Sequence, residues 1–330
     1  MVSCPNNLGG LQNQYKVFLV GPIQGSSSWQ YEVPEIPGVT WLNPRRPEYP
    51  VPNFNYNEQV NWETDALRIS NVVLAWIPEP EENLPGRSYA QTTRFELGEN
   101  IARGKTIILG AYKDFPGRKY LEYKATRYSN VRGVFSSLEE CLEELRNCLD
   151  ERNSKGIETW FTSDTHFSSD RTLSLSRRLF SDTDEMDWKM IEAWNNKVKP
   201  GDTVYHLGDF GENWPLDYLT GNIKFLRGNY ERDGKGTIDE SKVEILPDLS
   251  RIELEGHKFI LNHEPLLCKK NKEDDEFCLF GHIHGRQKIK GWDGMDVGVD
   301  CNNFSPVSLE EVLFYKNALE KGYYDEEVFS

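Results

Sequence analysis

The chain has no Cys-x-x-Cys pair, no apolar run approaching a membrane span, and no repeat or low-complexity tract. Each absence removes a class of protein. Its six cysteines (Cys4, Cys141, Cys148, Cys268, Cys278 and Cys301) are scattered through 330 residues. That distribution favours structural thiols in a reducing compartment over a disulfide framework. A bilayer-crossing helix needs roughly 20 consecutive apolar residues. No charged segment followed by an apolar one opens the chain, as a secretory signal would. The expectation is a cytoplasmic protein with no membrane partner. Positive charge is also short, with 38 Lys and Arg against 53 Asp and Glu, a net charge of −15. Grip on duplex nucleic acid comes from Lys and Arg on phosphates, so no duplex partner is expected. An anionic substrate would have to rely on metal ions and a few placed arginines. Histidine is scarce too, at six residues, so where those six fall is informative.

The length favours two domains, and nine Trp, fifteen Tyr and sixteen Phe can build sizeable cores. Residues 1–14 are Asn- and Gly-rich and read as a loose N-terminus. Apolar strand-length runs follow at Tyr15–Val20, Val72–Ile77, Lys105–Leu109 and Val131–Phe135. Between them lie helical spacings. Asn57 to Ser70 carries Val60, Trp62, Leu67 and Ile69; a second helix runs from an N-cap at Ser88 to about Arg103; a third follows Ser137. Strands alternating with helices predict a parallel α/β sheet covered on both faces. Ligands of such sheets bind beyond the carboxyl ends of the strands. That rule gathers Gly21, the 78–88 loop and the start of the next helix around one crevice. Residues 150–156 are polar and short, the composition of a linker, and 157–330 form the second domain.

In this second half, five apolar runs each end in a residue able to bind metal. Trp160-Phe161-Thr162-Ser163 leads to Asp164-Thr165-His166. Later runs lead to Gly208-Asp209, Gly228-Asn229, His263 and Gly281-His282-Ile283-His284. Four of the six histidines belong to this set. Oxygen donors mixed with imidazoles have the composition of a two-metal site. His206 and His257 fall outside it and read as structural. If the backbone of His282-Ile283-His284 is extended, side-chain alternation aims the two imidazoles at different ions.

These phrases, with "EMDWKMIEAWNNKVKPGDTVYHLGDF", "KFLRGN", "ILNHEP" and "FGHIHG", resemble the calcineurin-like metallophosphoesterase family. The wording is nearest to its small stand-alone bacterial and phage members. The resemblance implies an α/β/β/α sandwich of two mixed sheets. It also implies two divalent ions, Mn foremost, with Fe, Ni, Zn or Mg as alternatives. One ion would take Asp164, His166 and His284, the other Asn229, His263 and His282, with Asp209 bridging. Such a pair lowers the pKa of a water and clamps phosphate oxygens. The chain departs from the family where Tyr230 follows Gly228-Asn229. The family has a histidine there, which is thought to protonate the leaving oxygen. Three explanations stand: Tyr230 donates the proton, the leaving group is a good one such as a pyrophosphate or an aryl ester, or the activity is weak. The second is preferred here.

Residues 15–149 resemble the nucleoside 2-deoxyribosyltransferase-like family through "VFLVGPI", "NPRR", "ISNVVLAWIP" and "RFELGENIARG". A Rossmann-like, flavodoxin-like sheet follows from that resemblance, as does a nucleophilic Glu96 attacking an anomeric carbon. Asp65 is the candidate second carboxylate, and Gly21, Arg45, Arg46 and Arg94 are candidates for binding substrate. A carboxylate suits the oxocarbenium-like transition state of glycosyl transfer. Asn71 departs from the family, which often has an acidic residue there. The combined expectation is a bifunctional hydrolase acting on a nucleotide- or nucleoside-like small molecule. Its rivals are a phosphoesterase whose first domain only binds nucleotide, and a metal-dependent nuclease.

Overall fold

The computed structural model describes residues 1–47, 54–82, 85–86, 88–290 and 293–322. The chain divides into two compact units, Met1–Gly156 and Ile157–Ser330.

The first unit holds strands β1 (Val2–Ser3), β2 (Tyr15–Val20), β3 (Val39–Asn43), β4 (Val72–Ile77), β5 (Thr106–Ala111) and β6 (Val131–Phe135). Its helices are α1 (Tyr56–Ile69), α2 (Gln91–Ala102), α3 (Arg118–Ala125) and α4 (Leu138–Ser154). The strands form one sheet in the order β1-β3-β2-β4-β5-β6, and every pairing is parallel. β2 and β4 are buried along their whole length, as continuous apolar runs in a doubly covered sheet should be. One face packs Val17, Leu19, Leu74 and Ile108 against Cys141, Leu142 and Leu145 of α4. The Ser137 side chain caps α4 by accepting from the Glu140 amide, which satisfies one of the orphan donors of the first turn.

Several expectations need correction here. The N-terminus is not loose at its start, because Val2–Ser3 pairs with Leu42 and Asn43 and Cys4 is buried. Helix α2 begins at Gln91 with Ala90 as its cap, not at Ser88. Tyr89 donates its hydroxyl to the Pro78 carbonyl, which holds this stretch to the end of β4 before the helix starts. Positions 83, 84 and 87 of the expected loop lie outside the described residues. Val60 faces solvent while Gln59 is buried. Most of the expected linker is the end of α4, so the division falls at Gly156.

The second unit contains β7 (Thr159–Thr162), β8 (Thr203–His206), β9 (Asn222–Phe225), β10 (Glu244–Ile245), β11 (Leu249–Leu254), β12 (His257–Asn262), β13 (Glu276–Phe280), β14 (Ile289–Lys290), β15 (Gly294–Asp296) and β16 (Val307–Ser308). Its helices are α5 (Asp170–Leu175), α6 (Thr183–Lys197), α7 (Asn229–Arg232), α8 (Pro265–Asn271) and α9 (Leu309–Glu320). Two mixed five-stranded sheets result, ordered β10-β9-β8-β7-β16 and β11-β12-β13-β15-β14. Strand alternation makes them a pair. Phe259, Leu261, Phe277 and Leu279 share one core with Phe161, Tyr205 and Leu226 of the other sheet. The intervening Ile260, Cys278 and Phe280 pack with Cys268 of α8 on the opposite face. All six cysteines are free thiols. Among the described residues no helix is long and apolar enough to cross a membrane.

Phe259 is fully buried at the centre of the shared core. Phe259→Ala is expected to lower the unfolding free energy of the second unit by about 3–5 kcal/mol. The urea midpoint should fall with little change in slope; a midpoint within error of the parent's would contradict the sandwich core.

Candidate metal centre

The parallel strands β7, β8 and β9 all deliver their carboxyl ends to one edge of the first sheet of the second unit. At that edge the chain turns sharply. Asp164, His166, Asp209, His282 and His284 all have positive φ, between 47° and 73°. Non-glycine residues enter this region at a cost of about 1–2 kcal/mol each, and such strain collects at functional sites. The condition of an extended His282-Ile283-His284 backbone is therefore not met. The two imidazoles diverge because each sits on its own left-handed turn.

Backbone bonds hold these turns. The Asp164 amide donates to the Gly208 carbonyl, and the His166 amide to the Asp209 carbonyl. The His282 amide donates to Asp164 Oδ2 at 2.9 Å. Glu231 accepts from the amides of Asp209, Phe210 and Gly228 at 2.9–3.0 Å, latching the β8 turn to the β9 turn. Two glycines let the pieces meet. A Cβ at Gly281 would lie 2.1 Å from Ser163 Oγ and 2.2 Å from Asp164 Oδ2, and one at Gly228 would lie 2.1 Å from Asp209 Oδ1.

All seven candidate ligands converge. Asp164, His166 and His284 offer donor atoms within 4.8 Å of one another, as do Asp164, Asp209 and His263. Asn229 Oδ1 lies 2.9 Å from His263 Nε2 and 2.8 Å from His282 Nδ1. Asp209 Oδ2 stands 3.4 Å from His166 Nε2 and 3.5 Å from His263 Nε2, between the two groups. Ligand bonds of about 2.0–2.2 Å set neighbouring donors roughly 3–3.5 Å apart, so the spacing suits metal coordination. Two further observations test the fit. Among the described residues, Asp164 Oδ1 and both ring nitrogens of His166 are buried without a hydrogen-bond partner, a costly arrangement unless something else binds them. In addition, His263 donates Nδ1–H to the Leu207 carbonyl, which fixes the ring with Nε2 turned toward Asp209. Second partners orient metal-ligating imidazoles in this way.

Electrostatics favour positive charge at the site: burial opposes protonation of His263, but the charges of Asp164 and Asp209 raise it to about 9. Burial pushes His166 down to about 4, so it is a neutral donor. Burial also opposes ionisation of Asp209, but the hydrogen bond and charge of His263, with His166, hold it at about 2.

Two supporting residues escaped the sequence reading. Asp300 accepts from His284 Nδ1 at 2.9 Å and takes both Nε and Nη2 of buried Arg178 at 2.8 Å. Arg178 also donates to the Asp164 and Thr165 carbonyls. No local motif marks Asp300, which only the fold brings to His284. Tyr230 lies edge-on to the His166 ring, with centroids 5.0 Å apart, and its amide donates to Asp209 Oδ1. His206 is fully buried against Thr165 and Phe225.

In the first unit Glu96 is half-buried on α2. Burial, then the charges of Glu63 and Glu99, push it up to about 8. The α1 carboxylate whose charge reaches Glu96 is Glu63. Two residues apart on a helix means nearly opposite faces, and Asp65 pairs instead with Arg68 at 3.3 Å. Burial also raises Glu63, against the hydrogen bond it accepts from Gln59. Gln59 further donates to the Pro44 carbonyl and accepts from Arg46 Nε, which ties the "NPRR" loop to α1. Arg45 donates to the Ile23 and Ser27 carbonyls, and Arg46 pairs with Glu58. Both guanidiniums are thereby engaged in the fold. Arg94 is exposed, with its guanidinium over the Phe115 ring. Gly21 fits where a Cβ would strike Trp76 O at 2.3 Å and the Trp29 ring at 2.6 Å. The buried Asn71 side chain accepts from the Lys16 amide, closing the start of β2 against β4.

A parallel-sheet unit, and a second unit with an Asp/His cluster at strand ends, define a two-unit α/β protein. Residues 14–115 match the family described as nucleoside 2-deoxyribosyltransferase like, as the phrases of the first half implied. The chain is 31% identical over 180 residues to the uncharacterized protein MJ1445 of Methanocaldococcus jannaschii, covering 49% of this chain and 92% of that protein. It is 43% identical over 82 residues to the Gene 66 protein of Mycobacterium phage L5, covering 22% of this chain and 39% of that protein. The chain belongs to the same family as MJ1445. Among solved structures, a protein of unknown function, AQ665 from Aquifex aeolicus, aligns at TM-score 0.41 and 21% identity, covering 48% of this chain and all of that one. A novel archaeal phosphodiesterase aligns at TM-score 0.26 and 21% identity, covering 44% and 86%. At these scores neither likeness bears on fold or function.

Asp300→Ala should weaken Mn²⁺ binding about 10–100-fold in calorimetric titration of the full chain; unchanged affinity would deny Asp300 an orienting role. Glu96 yields a pH prediction. Below its ordinary value of 4.5 the carboxyl is neutral folded and unfolded alike. Between 4.5 and about 8 the unfolded chain ionises while the folded one resists, so stability falls across that window as pH rises. Glu96→Gln should therefore gain thermal stability over the parent between pH 5 and pH 8. A difference in melting temperature independent of pH would overturn this.

Proposed function

We propose that the second unit is a dinuclear metal-dependent phosphoesterase of the calcineurin-like type. The observation that carries this reading is the pair of donor groups around Asp209, with Asp164 Oδ1 and the His166 nitrogens buried and unpartnered. Asp164, His166 and His284 would hold one divalent ion, and Asn229, His263 and His282 the other, with Asp209 bridging. Mn²⁺ is the first candidate. When bound, the ions supply a nucleophilic water at neutral pH and neutralise charge on the phosphate. The chain's own residues set the geometry. His263 is fixed by Leu207, His284 by Asp300, and the Asp209 turn by Glu231 and the Tyr230 amide. Asn229 adds an oxygen donor without adding negative charge beside a phosphate.

For the first unit we infer a nucleoside- or nucleotide-like ligand on a flavodoxin-like sheet, with Glu96 as nucleophile at the sugar and Glu63 as the neighbouring carboxylate. The strand order β3-β2-β4-β5-β6 supports this sheet type, and its order reverses at β2, where such sheets bind ligands. The two activities together make a bifunctional nucleotide-processing hydrolase. One observation favours a second reading. At about 8, Glu96 is mostly neutral at physiological pH in the free protein, which suits a nucleotide-binding module that does not turn over.

The full chain with Mn²⁺ should hydrolyse bis-p-nitrophenyl phosphate, lose that activity to a chelator, and regain it on adding the metal. Asp209→Asn should reduce turnover at least ~100-fold, since transition-state charge stabilisation by such groups is worth several kcal/mol. No metal-dependent turnover would remove the phosphoesterase reading. Mass spectrometry of nucleoside and nucleotide incubations decides the first unit. Free base from the parent and none from Glu96→Gln supports catalysis, whereas no free base from either supports the binding module.

A further inference from the structure

Beside the Asp/His cluster lies a cavity of about 640 Å³ whose lining joins His166, Asp209 and His284 to Tyr230 and to Arg171, Arg177 and Arg286. Among the described residues, no carboxylate, hydrogen-bond acceptor or aromatic ring engages any of these three guanidiniums. Exposure alone does not account for that. Arg132, Arg227 and Arg251 are 28%, 37% and 46% exposed, and each holds a carboxylate. In a chain with 53 acidic side chains against 38 basic ones, three unengaged arginines on one cavity are a concentrated exception. The fold also orients them. Arg177 has φ +54°, and its neighbour Arg178 is buried on Asp300 and on the Asp164 carbonyl. The left-handed turn thus sends one arginine under the cluster and leaves the next at the cavity. Ser176 lies 3.1 Å from His284 Nδ1, which ties the arginine-bearing segment to the cluster.

We infer that the substrate carries two phosphoryl groups in one molecule, one over the Asp/His cluster and the second held by Arg171, Arg177 and Arg286. This inference rests on the phosphoesterase reading and names its substrate class, a diphosphate. Arginine's planar fork suits phosphate oxygens. Tyr230 lines the same cavity, and a leaving group that departs as an anion needs no proton from it. A phosphate monoester does so, because its second pKa is about 6. In the step, a water oxygen bonds to one phosphorus and the bridging P–O bond breaks. The electron pair leaves with the other phosphoryl group, whose charge the arginines balance. The water's proton is released to solvent or to the product phosphate.

The test measures binding to the full chain saturated with Mn²⁺, by calorimetry, for AMP and for α,β-methylene-ADP, whose bridge resists hydrolysis. The diphosphate analogue should bind at least ~10-fold tighter. The Arg171→Gln, Arg177→Gln, Arg286→Gln triple variant should lose that preference while keeping the parent's Mn²⁺ content and melting temperature. Arg286→Gln alone should lose part of it. Equal affinities in the parent, or a preference that survives the triple variant, would overturn the inference. Bis-p-nitrophenyl phosphate turnover by the parent separates the two readings. If turnover is metal-dependent and the preference absent, this inference alone fails. If metal uptake and turnover are both missing, the phosphoesterase reading fails and takes this one with it.

Discussion

Asp164 and His166 are buried with polar atoms that nothing among the described residues satisfies, and the second unit is arranged around that deficit. Leaving a buried polar group unpaired costs about 1–3 kcal/mol. The same residues also sit in left-handed backbone, at a further cost of about 1–2 kcal/mol each. Such expense is tolerated only where surrounding structure over-determines the conformation. Here it does, through the amide of His282 on Asp164, the Glu231 latch, and glycines that let Asp164 and Asp209 sit against neighbouring backbone. The shared aromatic core beneath the two sheets supplies rigidity at no polar cost. A site held this way is preorganised. Its donors are already placed, so a cation entering it removes a penalty rather than imposing an ordering cost.

Much of this arrangement was legible in the sequence, and the reasons are specific. Apolar runs set β2 and β4 to the residue because a doubly covered strand is buried along its whole length. The seven candidate ligands were legible because each follows such a run directly, and parallel strands bring their carboxyl ends to one edge. What was not legible depends on which face of an element packs, or on backbone that no pattern encodes. Asp65 and Glu63 look alike in sequence, and only the packed face of α1 selects Glu63 as the neighbour of Glu96. The extended reading of His282-Ile283-His284 assumed strand continuation, whereas the chain had already left the sheet at Gly281. Asp300 has no local signature and is defined only by His284 and Arg178. Arg45 and Arg46 were candidates for binding substrate, and their motif does not encode that carbonyls and Glu58 engage them. A motif fixes where a residue is, not what its head group touches.

The two units treat acidic side chains in opposite ways. In the second, Asp209 is kept ionised against burial by adjacent imidazoles, and Asp300 by His284 and Arg178. In the first, Glu96 meets burial and other carboxylates with no compensating cation among the described residues, so its neutral form is favoured. The first arrangement suits permanent coordination of positive charge. The second suits a carboxyl whose ionisation is withheld until a ligand changes its surroundings, because a bound group that brings positive charge or hydrogen-bond donors would lower the cost of ionising it. Sequence composition treats both as the same Asp and Glu.

Net charge of −15 would repel an anionic substrate at long range, yet screening confines that field to about 10 Å at ordinary salt. What an approaching phosphate meets at closer range is the cavity, whose walls carry Arg171, Arg177 and Arg286. Local charge therefore decides binding, while the global charge acts on solubility and on encounter rate. The acidic excess and the basic cavity also work in the same direction for selectivity. A long polyanion would bring many more phosphates into the field of that net negative charge than a small diphosphate would. The composition that argued against duplex nucleic acid is thus compatible with a phosphate-handling cavity, because the two statements concern different length scales.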